Sequence, residues 1–179
     1  AAAIGVEETL WLAIAIFLVA TAIIVAIPSV WAIRAPEAGE IEIAVAATGL
    51  NFRDVMWAQG LLPHEALEDG SAGAVLGLEC SGVVVRAGTG SSFAPGDRVM
   101  AACSGGFAGH VTIPETAARG LPDNVDLVHG AALPVVFQTA DYALNEVAHI
   151  ARGDVVLIHG AAGGVGLAAI QIAQAAGAR

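Results

Sequence analysis

The most constraining stretch of the sequence lies at its C-terminal end, where an apolar run precedes a glycine-rich loop. Val155–Ile158 shows no polar alternation, which is typical of a strand buried on both faces in a parallel sheet. After the loop, Gly177 stands where a helix C-terminal cap belongs. The chain ends at Arg179, so we expect the first half of a βαβ unit in a truncated sheet. The predicted helix carries one apolar stripe of Val165, Ala169, Ile172 and Ala176.

The loop between this strand and helix has the spacing of a dinucleotide-binding fingerprint. Residues 161–166 read AAGGVG, which is G-x-G-x-x-G with Ala in the first place. Gly163 would let the backbone approach a pyrophosphate, and Gly166 would let the helix pack close to the strand. The first amides of the helix would face the anion. Because a strand precedes and a helix follows, the pattern predicts dinucleotide binding over the alternative, a plain tight turn. The residue that separates NAD from NADP stands about 20 residues further on, so this choice stays open.

Composition excludes several classes of protein. The chain has 179 residues, is 56% hydrophobic and only 13% charged, and carries a formal net charge of -10. Disordered chains are apolar-poor and charge-rich, so disorder is excluded. Seven Arg and no Lys stand against 17 acidic residues, which argues against a nucleic-acid partner. With Cys80 and Cys103 as the only cysteines, a disulfide scaffold and a four-cysteine zinc site are excluded.

The N-terminal segment is strongly apolar. Residues 10–33 carry no charge, and Leu10–Ile27 contains Thr21 as its only polar residue. That run reaches the lower limit for a membrane-spanning helix. Buried strands are the alternative, and periodicity does not separate the two. No basic region precedes the run, which argues against a signal peptide.

The middle of the chain predicts a small β-domain. Thirteen glycines fall between Gly39 and Gly109, separated by short strand-like pieces, which suggests a small barrel or sandwich. A helix is expected to begin near Asn51, which could cap it. A second helix is expected over Val135–Ile150, with a stripe of Val136, Ala140, Ala143 and Val147. The predicted strands are 41–45, in half-buried alternation, 83–85 and 98–100, and turns are expected at 95–97 and 152–154.

Other candidate residues give weaker signals. Asn51 fits a helix cap as well as a cofactor contact. Cys80 reads as a small buried hydrophobe, and nothing in the sequence argues that Cys103 is reactive. No G-x-S-x-G motif supports a serine hydrolase. The histidines lack metal-ligand or triad spacing; they are His64, His110, His129, His149 and His159.

Five ordered motifs together resemble the enoyl reductase domain of modular type I polyketide synthases, in the medium-chain dehydrogenase/reductase superfamily. The resemblance runs from about Pro36 to Arg179, and the LNFRDVM string separates it from plain quinone reductases. The motifs are 49–56 (GLNFRDVM), 76–84 (LGLECSGVV), 93–99 (FAPGDRV), 132–135 (ALPV) and 158–166 (IHGAAGGVG).

The resemblance implies a fold of class α/β with a β-barrel. Residues 1–128 would form a GroES-like substrate-binding domain, with 1–33 as an atypical apolar segment. Residues 129–179 would hold a linking helix and the first βα unit of a truncated Rossmann domain. Since enoyl reductases are soluble and cytoplasmic, the resemblance disfavours a membrane helix and favours buried strands for 1–33.

The resemblance also implies an activity. NADPH would reduce an α,β-enoyl thioester carried on acyl carrier protein, with other synthase domains in cis, and the isolated fragment would be inactive. One alternative is a quinone oxidoreductase-like reductase of free enones and quinones. Another is a membrane-anchored, catalytically silent binding module.

Site residues follow from the same resemblance. Asn51 and Thr139 would face the cofactor, and Phe52 and Leu62 would line the substrate. Some members carry Tyr at the place of Leu62, associated with one α-methyl configuration, so we expect the other configuration or no branch. Zinc members have Cys and His where Asn51 and Leu78 stand, so no metal is expected. The proton donor is expected downstream of Arg179. The loop holding the cofactor phosphates would comprise Gly160, Ala161, Ala162, Gly163, Gly164, Val165 and Gly166.

Overall fold

The computed structural model describes residues 34–68 and 73–179. The chain divides into two units, Ala1–Arg34 and Ala35–Arg179, and the elements below all belong to the second. The alternatives predicted for 1–33 lie outside the described residues. Within the described ranges, no helix has the length and apolar character needed to cross a membrane.

Five strands form one antiparallel sheet in the order β4-β1-β2-β3-β5. The predicted short strands are confirmed, and β4 and β5 stand at the sheet edges within the described residues. Ile and Val are frequent in these strands because β-branched side chains pack well on a pleated surface. The strands are β1 (Glu40–Thr48), β2 (Glu79–Ala87), β3 (Arg98–Ala102), β4 (His110–Pro114) and β5 (Ala118–Gly120).

The core of the sheet lies on one face. One strand position in this region departs from the predicted alternation, because Glu42 is buried between Ile41 and Ile43. Arg86 stands opposite Glu42 in the β1–β2 register, and the two side chains form an ion pair. A buried carboxylate is tolerated where a charged partner satisfies it. The core residues are Ile41, Ile43, Cys80, Val84, Val99, Ala101, Val111, Ile113 and Ala118.

In the part of the chain that the structure describes, two α-helices lie between β1 and β2 along the sequence, and three more follow β5. Their ends follow sequence signals: Pro134 opens one helix at its first position, and Gly177 closes another in the left-handed conformation, as predicted. The helices are α1 (Phe52–Ala58), α2 (His64–Glu68), α3 (Leu127–Gly130), α4 (Pro134–Asp141) and α5 (Gly164–Ala176), with a 3₁₀ turn at Glu115–Ala117.

The helix predicted over 135–150 is α-helical only in its first half. Tyr142–Val147 forms a π-helix, and the N–H of Ala148 donates to the carbonyl of Ala143 at 3.0 Å. The wider turn rotates the following residues around the axis. The expected stripe therefore fails after Ala140, because Ala143 and Val147 are exposed.

The stripe predicted for α5 is also shifted. Val165 is exposed, whereas Gly166, Ala168 and Ala173 are buried together with Ala169. Small residues occupy the buried face because α4 packs closely against it. Ala140 of α4 contacts this face in a small cluster with Ala168 and Ala169.

The segment Val155–Ile158 is paired in parallel at its start. The N–H of Arg179 donates to the carbonyl of Asp154 at 2.7 Å, and the N–H of Val156 donates to the carbonyl of Arg179 at 2.8 Å. This alternation is the bonding pattern of parallel strands. Residues 155–158 do not form a regular strand in the structure, so the predicted strand is limited to this one pair of bonds. Burial on both faces was also wrong within the described residues, since Val155 is 79% exposed and Leu157 82%. Only one face is covered, where Ile158 packs against the α4–α5 cluster.

Candidate functional site

The glycine loop forms a tight turn into α5. Gly160 adopts a φ of 66°, which glycine reaches without steric cost. Its carbonyl accepts the N–H of Gly163 at 2.9 Å, and Gly163 then takes the N-cap position of α5. A Cβ at Gly166 would lie 2.4 Å from the carbonyl oxygen of Gly160. The loop can therefore fold back on the helix only because position 166 has no side chain.

The first turn of α5 is open to solvent. Gly163, Gly164 and Val165 are exposed, and no side chain of the described residues caps this turn. The first amides of an α-helix have no acceptor within the helix, and the helix dipole places positive charge there. This helix start therefore offers N–H donors to an anion, and its role in holding the cofactor phosphates stays a prediction.

A buried carboxylate connects the start of α1 with the start of α4. Glu79, at the first position of β2, is 3% exposed. Its Oε1 accepts Nδ2 of Asn51 at 2.9 Å, and its Oε2 accepts the N–H of Val135 at 2.8 Å. A Cβ at Gly49 would lie 2.4 Å from Oε1, so a glycine is required beside the carboxylate. The charge is satisfied by donors from two elements distant in sequence.

A second buried carboxylate fixes the backbone around Asn51. We call this region, formed by Asn51, Asp54, Gly77 and Glu79, the Asn51 corner. Asp54 in α1 is 2% exposed, and its Oδ2 accepts the N–H of Asn51 at 2.9 Å. Its Oδ1 accepts the N–H of Gly77 at 2.8 Å. Asn51 stands at the N-cap of α1, while its side-chain amide binds Glu79. The structure thus gives Asn51 both a helix-start position and an orientation set by Glu79.

Helix α4 joins this corner to the glycine loop. Its N-terminus is held at Val135 by Glu79, and a Cβ at Gly164 would lie 3.1 Å from Cγ1 of Val136. Phe137 and Ile172 pack against the α4–α5 cluster. The Asn51 corner and the glycine loop are therefore fastened to the same short helix.

Comparison with known proteins adds a family to this geometry. Residues 37–123 match the model of the alcohol dehydrogenase GroES-like domain. Over these residues the chain is similar to an alcohol dehydrogenase GroES-like domain. The five-stranded sheet, the Asn51 corner and Glu79 all belong to this GroES-like domain, and the matched range ends before α3.

The similarity extends beyond the GroES-like domain. The pikromycin polyketide synthase component PikAII of Streptomyces venezuelae is 44% identical over 137 residues, which cover 76% of this chain and 4% of that protein. Among solved structures, the CurK enoyl reductase has a TM-score of 0.73 at 42% identity and covers 81% of this chain and 46% of that one. The mycobacterial protein Rv1454c, solved with NADPH, has a TM-score of 0.66 at 35% identity, covering 82% and 44%.

These similarities confirm the predicted family resemblance and fold class. The chain spans just under half of the solved enoyl reductase it matches and a small fraction of the curated synthase. The domain boundary at 128/129 is not tested by the matched range and stays a prediction.

The remaining predicted site residues lie around the GroES-like domain and α4. Phe52 is 77% exposed, directly after Asn51, and Leu62 is half-buried beyond the end of α1. Thr139 lies on the exposed side of α4, and its hydroxyl donates to the carbonyl of Val135 at 2.7 Å. Within the described residues, no three His, Cys, Asp or Glu side chains are grouped to hold a metal.

Two features of the site were missed by sequence reasoning. Glu79 was given no role from the sequence, although a carboxylate between Leu78 and Cys80 in a predicted strand is a signal of a buried partner. Cys80 and Cys103 were treated separately, but their Sγ atoms are 3.7 Å apart. Only the β2–β3 register brings them together.

Proposed function

We propose that the chain forms the substrate-binding domain and the start of the cofactor domain of an NADPH-dependent enoyl reductase. Its substrate is an α,β-enoyl thioester on an acyl carrier protein, within a polyketide synthase whose other domains act in cis. The boundary between the two domains falls at 128/129. The observation that carries this proposal is the open first turn of α5, which follows the glycine loop. Helix α5 packs against α4, and Glu79 accepts hydrogen bonds from both the start of α4 and Asn51.

The loop 160–166 and the first amides of α5 hold the cofactor diphosphate. Gly163 is exposed and has no side chain, so its backbone is open to the approach of the diphosphate. When bound, NADPH supplies the hydride that adds to the β-carbon of the enoyl thioester. The similarity to a protein solved with NADPH supports a nicotinamide nucleotide as the cofactor.

The Asn51 corner orients the reacting groups. Because Nδ2 of Asn51 is held by Glu79, the plane of its amide is fixed, and we assign its Oδ1 to the nicotinamide side. Thr139 on α4 lies toward the same cofactor, and Phe52 and Leu62 line the acyl chain. Reduction passes through an enolate, which hydrogen bonds stabilise without a metal. The proton for the α-carbon comes from a donor downstream of Arg179.

Nucleotide binding tests the cofactor site. The intact polypeptide is titrated with NADPH and NADH while nucleotide fluorescence is followed. We expect tighter binding of NADPH and a loss of at least tenfold in affinity for Gly163→Ala. Gly109→Ala is the matched control, because a Cβ at Gly109 meets nothing within 4 Å. Equal NADPH binding by Gly163→Ala and the wild type would overturn the proposed phosphate site.

Substrate choice is tested separately. Rates are compared for a carrier-bound enoyl thioester, a free enone and a free quinone. Faster reduction of the carrier-bound substrate supports the synthase role, whereas preference for free enones or quinones supports the quinone oxidoreductase alternative. With an α-methyl substrate, a 2S product would contradict the role assigned to Leu62. We expect no turnover from the isolated 179 residues.

A further inference from the structure

The two cysteines of the chain meet at the edge of the GroES-like core. Both are free thiols, and their Sγ atoms lie 3.7 Å apart. We propose that Cys80 and Cys103 form a reversible intramolecular disulfide when the protein meets hydrogen peroxide. This inference does not depend on the proposed reductase function.

Strand register places both thiols on one face of the sheet. Cys80 pairs with Ala101 in the β2–β3 ladder. The N–H of Cys103 donates to the carbonyl of Leu78 at 2.9 Å, which extends the same register by one residue beyond the Glu79–Ala102 pair. Residues two apart on a strand share a face, so Cys80 and Cys103 are diagonal neighbours. Closing the bond shortens the Sγ–Sγ separation from 3.7 Å to about 2.0 Å. For diagonal neighbours this requires a small movement of the backbone as well as rotation of the side chains.

The two thiols differ in access. Cys80 is 0% exposed within the core, whereas Cys103 is half-buried. Cys103 also lines a cavity of about 500 Å³ together with Ser104, Val135 and Gln138. A small oxidant can reach Cys103 through this cavity but has no direct route to Cys80. Cys103 is therefore the thiol that reacts first, and Cys80 is the resolving thiol.

The hydrogen bond between the thiols favours the same order. The Cys80 S–H lowers the pKa of Cys103, because it stabilises the Cys103 thiolate. The same hydrogen bond, together with burial, raises the pKa of Cys80. The thiolate is the form that attacks peroxides.

The reaction balances with hydrogen peroxide as the oxidant. The Cys103 thiolate attacks one peroxide oxygen, an S–O bond forms as the O–O bond breaks, and the departing hydroxide takes a proton to become water. The Cys80 sulfur then attacks the Cys103 sulfenic acid, and an S–S bond forms as the S–O bond breaks. The Cys80 proton leaves with the hydroxide as a second water. The two thiols together lose two electrons, and the peroxide gains them.

The disulfide would tie β2 to the turn that follows β3. In this turn the N–H of Gly106 donates to the carbonyl of Gly77 at 3.0 Å, and the carbonyl of Gly106 accepts the hydroxyl of Thr48 at 2.7 Å. Glu79 is the neighbour of Cys80, so the bond would form directly beside the carboxylate that holds Asn51.

Peptide mapping tests the proposal directly. Arg86 and Arg98 lie between the cysteines, so trypsin places Cys80 on peptide 54–86 and Cys103 on peptide 99–119. The intact polypeptide is treated with hydrogen peroxide, unfolded, alkylated and digested. We expect a linked pair of these two peptides, lighter by about two hydrogen masses than their sum, that disappears after reduction with dithiothreitol.

Two variants separate the roles of the thiols. In Cys80→Ala, dimedone is expected to trap sulfenic acid on peptide 99–119. In Cys103→Ser, the Cys80 thiol on peptide 54–86 should stay unoxidised. The proposal is overturned if wild-type protein accumulates Cys103 sulfenic acid without the linked peptide, if neither cysteine is oxidised, or if the link joins two different chains. The wild-type measurement decides the matter even if a variant does not fold.

Discussion

The carboxylate of Glu79 accepts the side-chain amide of Asn51 at 2.9 Å while its other oxygen accepts the N–H of Val135 at 2.8 Å. One buried side chain thus satisfies a residue of the GroES-like corner and the first turn of α4. A change at this carboxylate acts on contacts with two elements at once, which makes the position a sensitive probe of the site.

Replacing Glu79 by Gln should destabilise the protein and loosen Asn51. The glutamine amide offers one acceptor where two are used, so one buried donor is left without a partner. We expect a loss of about 1–3 kcal/mol in the free energy of unfolding, measured by urea denaturation of the intact polypeptide. Glu146→Gln, at an exposed position, is the control and should leave the free energy unchanged. Equal stability of both variants would contradict the role given to Glu79.

Asp54→Asn should disturb the start of α1. Both oxygens of this buried carboxylate accept backbone N–H groups, from Asn51 and Gly77. An amide nitrogen would face one of these donors, at a cost of about 1–3 kcal/mol. Thermal unfolding monitored by circular dichroism would measure the loss. Asp123→Asn, on the surface, serves as the comparison, and a loss shared by both variants would argue against a specific effect.

Two alanine substitutions in the glycine loop should behave differently. Gly166→Ala drives a Cβ to 2.4 Å from the Gly160 oxygen, so we expect a destabilisation of about 1–3 kcal/mol from overpacking. Gly163→Ala meets that oxygen at 3.3 Å and should change stability by less than about 0.5 kcal/mol. Denaturant titrations of both variants test the difference, and the prediction fails if Gly163→Ala is the less stable one.

Cys103 should react with alkylating reagents at lower pH than an ordinary thiol. The hydrogen bond from Cys80 lowers its pKa, so the thiolate forms earlier as the pH rises. The rate of iodoacetamide labelling of peptide 99–119 should reach its midpoint below the usual value of about 8.5. In Cys80→Ala the midpoint should move upward, because the S–H donor is gone. A midpoint that is the same in both proteins would refute this explanation.

The local features of the chain were readable from its sequence. The turn into α5, the cap at Gly177 and the start of α1 at Asn51 depend on residues close together in the chain, so spacing and residue type suffice to predict them. The strands β1, β2 and β3 were recognisable because β-branched runs alternate with glycine turns, whereas β4 and β5 were not predicted.

Features that depend on long-range contacts were not readable. The contact between Glu79 and Val135 joins residues 56 positions apart, and the thiol pair requires the β2–β3 register. The π-helix at Tyr142–Val147 was invisible because a stripe with steps of three and four does not reveal a widened turn. The exposure of Val155 depends on which elements cover it, and a run of apolar letters does not contain that information.

The hydrogen bond from the N–H of Val135 to Glu79 restricts the movement of the first turn of α4. Proline fixes the backbone angle at the entry to this helix, and the next amide is clamped by a side chain from the sheet. We therefore expect α4 to be held in a fixed orientation at this end and not to rotate about it. A substitution that weakens this hydrogen bond should therefore also alter the packing of α4 against α5, which lies at a distance from the altered side chain.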